Sequence, residues 1–170
     1  MILEGGRVVL RSGRHEDAER LAAILREPEV ERRWGPVSVD AVQAEFIDDA
    51  SVFVLEADGQ VVGAIQFGEE ENPMYRHASI DLFVATDRWG EGIGSDAIST
   101  LAGYLFNDLD HHRLTIDPAL DNERAIAVYE RLGFRRVGVL REYERGNDGT
   151  FHDGLLMELL RGELVDPADV

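Results

Sequence analysis

The chain has 170 residues, 44% of them hydrophobic, which suits one compact domain with a single core. It contains no cysteine, which excludes disulfides, cysteine-ligated metal sites and a cysteine acyl-enzyme. Thirty-four acidic residues against seventeen basic ones, all of them arginine, give a net charge of −17. This charge disfavours nucleic acids and anionic lipids as partners and favours a cationic ligand, although it also serves solubility.

The chain shows no sign of membrane insertion or secretion. Its amino terminus lacks a charged segment followed by a long apolar run, and no apolar stretch is long enough to span a bilayer. We therefore expect a cytoplasmic protein with no membrane partner. We also expect a single domain over residues 1–170, with a core over about residues 7–160 and a short acidic tail over residues 161–170.

The first third of the chain predicts a strand followed by helices and a hairpin. Residues 7–11 read as a strand, and residues 15–26 carry apolar side chains at helical spacing up to Pro28. A second helix is predicted over residues 39–47. Two strands, over residues 51–56 and 60–67, flank Ala57-Asp58-Gly59, which is a hairpin signal.

The remainder alternates strands and helices before a closing pair of strands. The predicted strands lie over residues 75–84, 113–116, 134–144 and 151–160, and the predicted helices over residues 94–106 and 122–132. The last two strands flank a turn-rich connection at residues 146–149.

The most informative segment is an apolar strand that runs through glycines at positions 90, 92 and 94 into a helix. Glycines leave backbone amides uncovered, so several N–H groups can point at one phosphate near the positive end of the helix dipole. A P-loop needs a lysine, and the chain has none. Residues 92–97 also fit the dinucleotide pattern G-x-G-x-x-A, but in that fold the turn belongs to the first βα unit, whereas here it follows a hairpin. A phosphorylated cofactor is predicted, with a purely structural turn as the alternative.

Two motifs resemble one enzyme family, the GCN5-related N-acetyltransferases, or GNAT family. Residues 89–94 resemble its acyl-CoA pyrophosphate loop Q/R-x-x-G-x-G/A, with tryptophan at the first position. Residues 122–134 are similar to its signature N-x-x-A-x-x-x-Y-E-x-x-G-F at full spacing. The resemblance implies an α/β (α+β) GNAT fold, a mixed, mostly antiparallel sheet of six to seven strands flanked by about four helices. It also implies transfer of acetyl from acetyl-CoA by direct attack in a ternary complex.

The resemblance also implies where the coenzyme binds. The strand before the glycines would splay from its neighbour and pair its backbone with pantetheine at Leu82, Phe83 and Val84. The pyrophosphate would lie on the loop formed by Trp89, Gly90, Glu91, Gly92, Ile93, Gly94 and Ser95. Asn122 would contact the pantetheine arm, and it is equally a good helix N-cap.

Two residues are implied as catalytic. Tyr129 lies two helical turns after Asn122 and would protonate the leaving thiolate, unless it only packs in the core. Asp81 stands in an otherwise apolar strand and could take a proton from the acceptor amine directly or through water, or only orient the ammonium form. Because an aspartate of ordinary pKa near 3.9 is a poor base, binding and water-mediated relay are favoured unless burial raises that pKa. Alternation along the strand also permits a solvent-facing role.

Further side chains could line an amine-binding cleft, each with a structural alternative. Asp117 ends a predicted strand and could equally serve a turn before Pro118. Glu70 belongs to an acidic run that could be a solvated loop, and Trp34 could stack on a substrate ring or pack in the core. His111 and His112 are adjacent on a predicted strand and point to opposite faces, so no metal site is expected.

The acceptor predicted first is the 6′ amine of an aminoglycoside, which would confer antibiotic resistance. Residues 105–108 and 116–130, with the Ile80-Asp81 strand, are similar to aminoglycoside 6′-N-acetyltransferases of the family. Residues 143–156 instead resemble the ribosomal-protein and peptide amino-terminal acetyltransferases, so peptides are the alternative and polyamines come third. A different class also stays open, a non-catalytic acyl-CoA sensor, against which the presence of Tyr129 argues. A homodimer is expected by resemblance.

Overall fold

The computed structural model describes residues 1–169, and within them eight strands form one sheet. The strands are β1 (Ile2–Glu4), β2 (Val9–Arg11), β3 (Val52–Ala57), β4 (Gln60–Glu70), β5 (His77–Val84), β6 (Arg113–Ile116), β7 (Arg135–Arg145) and β8 (Phe151–Leu160). Their order across the sheet is β1-β2-β3-β4-β5-β6-β8-β7. β5 and β6 are parallel, and the other neighbouring pairs are antiparallel.

Five α-helices accompany the sheet in the described part of the chain. They are α1 (Ala18–Leu25), α2 (Pro28–Trp34), α3 (Val39–Val42), α4 (Ile93–Asn107) and α5 (Glu123–Arg131). The mixed, mostly antiparallel sheet with flanking helices matches the expected fold class, with one or two strands and one helix more than predicted. The extra strand is β1, whose three residues are too few to show a strand pattern in the sequence.

Two predicted features take a different form in the structure. Pro28 was expected to close the first helix, but it is the first residue of α2, where its missing N–H costs nothing. The predicted helix over residues 39–47 has the right extent, but its second half, Gln43–Ile47, is a π-helical turn. The hairpin between β3 and β4 is confirmed, since Asp58 and Gly59 both have positive φ, as a tight two-residue turn requires.

The sheet separates two apolar clusters. On one face Leu55, Ile80 and Leu101 belong to a core that packs α4 and α5 against the strands. On the other face Val54 and Phe83 pack with the amino-terminal helices α1 to α3. Alternate residues of β3 and β5 therefore serve opposite cores, which fixes the register of the central strands.

The residues after β8 pack back on the molecule. The Val165 amide donates to the Leu132 carbonyl at 3.1 Å, and Leu164 lies against the larger core. The predicted acidic tail therefore begins with an ordered segment, while Val170 lies outside the described residues. No helix within residues 1–169 is both long enough and apolar enough to cross a membrane.

Candidate active site

The glycine turn joins β5 to α4. Gly90 and Gly92 adopt φ values of 85° and 80°, a left-handed conformation that glycine takes without strain. A Cβ built on Gly90 would meet nothing within 4 Å, so the backbone there is open to an incoming group. Glu91, the acidic residue of the turn, is held by Arg88 at 2.8 Å. The turn therefore presents uncovered amides at the start of a fifteen-residue helix.

Strand β5 loses its neighbour before it reaches this turn. It pairs with β6 at only two positions, Ala78 with Leu114 and Ser79 with Thr115, whereas its pairing with β4 continues to Val84. The sheet is thus open between β5 and β6 from residue 80 onward, as the resemblance implies. A chain-like ligand with amide groups could enter this opening and bond to the strand backbone.

The predicted pantetheine-binding residues lie in the opened part of β5. Phe83 is buried on the side of α1 to α3, and Leu82 packs against the larger core. The Leu82 amide donates to Asp81 Oδ1 at 2.9 Å. The Val84 carbonyl accepts from Trp89 Nε1 at 2.8 Å. The Leu82 amide and the Val84 carbonyl are therefore hydrogen-bonded to side chains, where a neighbouring strand would otherwise bond to them.

Asp81 stands at the mouth of this opening. Its side chain is reachable by solvent, yet protein atoms crowd it enough that desolvation is the main cause raising its pKa, to about 7. The negative charges of Asp117 and Glu144 contribute to the same shift. A carboxyl group with this pKa exchanges its proton near neutrality, so the structure meets the condition under which Asp81 can act as a base.

Tyr129 faces the same carboxylates from α5. The side chain is 8% exposed and packs on Phe134, with ring centroids 6.1 Å apart. Burial raises the pKa of its phenol well above the usual range, and the charges of Asp81 and Asp117 add to this. The phenol therefore stays protonated at neutral pH and carries a proton, although the raised pKa makes it a weaker acid than an ordinary tyrosine.

Two functional candidates on β7 were missed from the sequence. Tyr143 donates a hydrogen bond from its hydroxyl to Asp117 Oδ2, which raises the pKa of the phenol to about 12. Glu144, the next residue, adds its charge to the surroundings of Asp81. The only sequence signal was the resemblance of residues 143–156 to peptide acetyltransferases, because strand order, not chain proximity, brings β7 to this site.

Two of the predicted coenzyme contacts already have structural roles. Asn122 caps α5, its side chain accepting from the Ala125 amide at 3.3 Å, so the N-cap alternative is observed. Trp89 bonds to Val84 and also makes a cation–π contact with Arg124. The Cζ of Arg124 lies 4.0 Å from the centroid of the Trp89 ring. Trp89 thus links β5 to α5 across the opening.

The other two predicted substrate contacts are Trp34 and Glu70. Trp34 packs its ring on Phe83 and Phe46, with centroids 5.1 and 5.9 Å away, which supports the core alternative. On β4, Asp81 is paired with Gln66, and Glu70 lies four residues beyond Gln66, roughly 13 Å along the same face. Glu70 therefore does not converge with Asp81.

An open cleft of about 1000 Å³ lies between α2 and the β7–β8 hairpin. Its lining includes Glu144, one of the carboxylates whose charge acts on Asp81. The lining also includes Arg26 and the pair Arg32 and Arg33, which both bind Asp121 at 2.7 and 2.6 Å. The cleft therefore carries charges of both signs.

The two adjacent histidines precede β6 and are not on a strand, contrary to the sequence prediction. They differ in exposure, since His111 is buried and His112 is exposed. His111 Nε2 lies 2.7 Å from Glu69 Oε1. In residues 1–169 no group of three or more histidine, aspartate or glutamate side chains is placed to hold a metal ion, and a reaction without metal stays a prediction.

The residues present fit a coenzyme A thioester. The uncovered amides of the glycine turn suit a pyrophosphate, and the one-sided stretch of β5 suits the amide-bearing pantetheine arm. Asp81 and Tyr129, the predicted catalytic pair, lie near enough for the charge of Asp81 to act on the phenol. The opening between β5 and β6 thus brings together a turn with open backbone, a carboxyl group of raised pKa and a buried phenol.

Curated relatives are similar to this chain over most of its length. The putative ribosomal N-acetyltransferase YdaF of Bacillus subtilis (strain 168) is 31% identical over 171 residues, covering 92% of each chain. The spermidine N(1)-acetyltransferase of Escherichia coli (strain K12) is 28% identical, covering 88% of this chain and 84% of the relative. An aminoglycoside N(6′)-acetyltransferase type 1 of Klebsiella pneumoniae is 27% identical, covering 78% and 76%.

Solved structures of related proteins share the fold. A probable acetyltransferase superposes with a TM-score of 0.83 at 28% identity, covering 95% of this chain and 97% of that chain. Mycobacterium smegmatis RimJ, solved in complex with CoA-disulfide, superposes with a TM-score of 0.81 at 26% identity, covering 99% and 90%. The model of the acetyltransferase (GNAT) domain matches residues 7–135, which spans the glycine turn and the signature helix. The chain therefore belongs to the GNAT family of acetyl-CoA-dependent N-acetyltransferases.

Proposed function

We propose that this chain transfers an acetyl group from acetyl-CoA to a primary amine on a cationic acceptor held by Asp81. The observation that carries the proposal is the meeting of Asp81, Asp117 and Glu144 with Tyr129 at the opening between β5 and β6. None of these three carboxylates has an ion-pair partner among the described residues, so together they attract an ammonium group.

The coenzyme supplies an activated acyl carbon, and the residues of the chain handle the protons. Asp81, with its pKa near 7, accepts a proton from the bound ammonium directly or through water and so frees the nitrogen lone pair. The nitrogen bonds to the thioester carbonyl carbon and, now more acidic, releases its second excess proton to water, while the carbon–sulfur bond breaks. Tyr129 donates its phenolic proton to the departing thiolate. The products are the N-acetylated amine and free coenzyme A, and solvent restores both side chains.

The backbone and cleft position the reactants. The one-sided segment Leu82, Phe83 and Val84 is proposed to bond to the pantetheine arm, and the turn from Trp89 to Ser95 to hold the pyrophosphate. Asn122, whose Nδ2 is not used by its capping bond, is proposed to contact the arm from α5. Asp117 orients the acceptor from the opposite side of Asp81.

The first acceptor we propose is the 6′ amine of an aminoglycoside. An aminoglycoside carries several ammonium groups, which the unpaired carboxylates of Asp81, Asp117 and Glu144 would bind. The resemblance of the Ile80-Asp81 strand and of residues 116–130 to aminoglycoside 6′-N-acetyltransferases supports this choice. In that case the enzyme would confer resistance to the antibiotic.

A second acceptor is supported by a different observation. The cleft between α2 and the β7–β8 hairpin carries Arg26, Arg32 and Arg33, which suit the carbonyl and carboxylate oxygens of a peptide better than a polycation. The relative at 31% identity is named a putative ribosomal N-acetyltransferase. The amino terminus of a peptide or ribosomal protein is therefore the second candidate, and a polyamine the third.

The experiment is a thiol-release assay with acetyl-CoA and matched acceptors. The panel pairs an aminoglycoside bearing a 6′ amine with its 6′-hydroxyl analogue, a peptide with its amino-blocked form, and spermidine alone. Turnover only with the 6′ amine supports the first acceptor, whereas turnover only with the free peptide replaces it by the second. Binding of acetyl-CoA without turnover of any amine favours the sensor class over the proposed reaction.

Two organisational proposals accompany the reaction. We propose that the chain functions as one domain over residues 1–170 and that it forms the homodimer expected from the family resemblance. Sedimentation velocity at micromolar concentration would distinguish a dimer from a monomer.

A further inference from the structure

Two arginines without a carboxylate partner flank the glycine turn. Arg7 and Arg124 form no ion pair within the described residues, although the chain has twice as many acidic as basic residues. Both lie beside the turn, Arg7 next to Gly92 and Arg124 over the ring of Trp89. Because Arg7 and Arg124 have no carboxylate partner in so acidic a protein, they are available to bind an anionic ligand at the glycine turn.

Arg124 occupies an unfavourable position for a cation. It is the second residue of α5, where the helix dipole is positive, and partial burial lowers the pKa of its guanidinium. Trp89 holds it there, since the indole N–H is fixed by the Val84 carbonyl at 2.8 Å and the ring face carries the guanidinium at 4.0 Å. An anion bound between α5 and the glycine turn would relieve this unfavourable charge.

Arg7 is brought to the turn by an anchor on α4. The carboxylate of Asp96 accepts three backbone amides from the β1–β2 connection, those of Gly6, Arg7 and Val8, at 3.0, 2.7 and 3.0 Å. As a result, Arg7 Nε lies 3.2 Å from where a Cβ on Gly92 would be. The position of Arg7 is thus fixed through its backbone, while its guanidinium remains available.

We propose that Arg124 and Arg7 form a two-arginine clamp on the phosphates of the coenzyme, with Trp89 as the platform for Arg124. The family motif has glutamine or arginine where this chain has Trp89. In this chain Arg124, on α5, places its guanidinium over Trp89 and so supplies a positive charge at the same position. Guanidinium groups bind phosphate oxygens through charge-assisted hydrogen bonds, and here they offset the repulsion between a polyanionic coenzyme and a chain of net charge −17. The inference rests on the proposed function because it takes a coenzyme A thioester as the ligand.

The test is the dissociation constant of coenzyme A, measured by calorimetry for the wild type and for Arg124→Gln, Arg7→Gln and Trp89→Leu. Each arginine variant is expected to bind about tenfold more weakly, with a shallower salt dependence. Arg131→Gln is the control, since Arg131 is exposed at the far end of α5 and has no ion pair within residues 1–169; it is expected to bind within about twofold of the wild type. The Trp89→Leu and Arg124→Gln effects should be non-additive, because Trp89 acts by placing Arg124.

A phosphate-free analogue separates this inference from the proposed function. With S-acetyl-pantetheine, which lacks every phosphate, the arginine variants should turn over acceptor at the wild-type rate. Coenzyme binding within about twofold of wild type in both arginine variants would overturn the clamp while leaving the enzyme assignment intact. Failure of the wild type to bind coenzyme A would instead contradict the proposed function itself.

Discussion

The hydroxyl of Tyr143 on β7 donates a hydrogen bond to Asp117, just past the end of β6. The bond crosses β8, which lies between these two strands in the sheet. The charge of Asp117 contributes to the raised pKa of Asp81, and so does the charge of Glu144, the neighbour of Tyr143 on β7. The protonation of Asp81 is therefore set partly by a residue more than sixty positions away in sequence.

Removing the Asp117 charge should shift the pH dependence of the reaction. In the wild type, kcat/KM is expected to rise along an acidic limb near pH 7 as Asp81 loses its proton. Asp117→Asn removes a like charge, so the pKa of Asp81 should fall and the limb should move down by about half a pH unit. Asp40→Asn, an exposed carboxylate on α3, is the control. An unchanged limb in Asp117→Asn would show that another group controls it.

Asp81 should also make stability depend on pH. The pKa of the Asp81 carboxyl is about 7 in the folded protein and 3.8 when the fold does not perturb it. Ionisation of Asp81 therefore disfavours the folded state. This cost is absent below about pH 4, grows as the pH rises through the interval between the two pKa values, and is complete above about pH 7. Asp81→Asn should therefore have the Tm of the wild type at pH 4 and a higher Tm at pH 8, measured by thermal denaturation. A lower Tm for the variant at pH 8 would contradict the raised pKa.

Tyr129 should affect chemistry more than coenzyme binding. Tyr129→Phe keeps the ring and its packing on Phe134 but removes the phenolic proton, so kcat should fall by about 10²-fold. The dissociation constant of acetyl-CoA should change by less than about twofold. Tyr104→Phe on α4, whose ring packs on Phe53, is the control and should retain full activity. Full activity in both variants would assign the proton donor elsewhere.

Asp96 should matter for stability as the anchor of the amino-terminal hairpin. It is buried and accepts three amides, so Asp96→Ala leaves three N–H groups without their acceptor. We expect a loss of about 3 kcal/mol in the free energy of unfolding, measured with urea. Asp87→Ala, at an exposed position in the turn after β5, should change it by less than about 0.5 kcal/mol. Equal losses would mean that the anchor contributes nothing specific.

The local parts of the fold could be predicted from the sequence. Strands β6 and β8 have the predicted bounds, because apolar runs bounded by turn residues determine short buried strands. Helix α2 was not predicted, because Pro28 was interpreted as the end of the first helix, whereas it is the first residue of α2. A proline is common at either position, and sequence periodicity alone does not tell the two apart. The β3–β4 turn was recognised because Asp-Gly is suited to positive φ at both positions.

From the sequence, we predicted only those site residues that belong to a recognisable motif. Asp81, Tyr129 and the glycine turn belong to contiguous motifs, and the structure brings them to one opening. Tyr143 and Arg7 reach that opening through strand order and through the Asp96 anchor, which no local pattern encodes. Apart from the resemblance of residues 143–156 to peptide acetyltransferases, no sequence signal pointed to these residues.

The most direct test of the central claim is release of coenzyme A thiol from acetyl-CoA by purified protein, with and without a primary amine, for the wild type and the Tyr129→Phe variant. The account predicts amine-dependent release by the wild type, with a mass spectrum showing one acetyl group on the acceptor nitrogen, and a loss of about 10²-fold in the variant. Tight acetyl-CoA binding without release for any aminoglycoside, peptide or polyamine would contradict it.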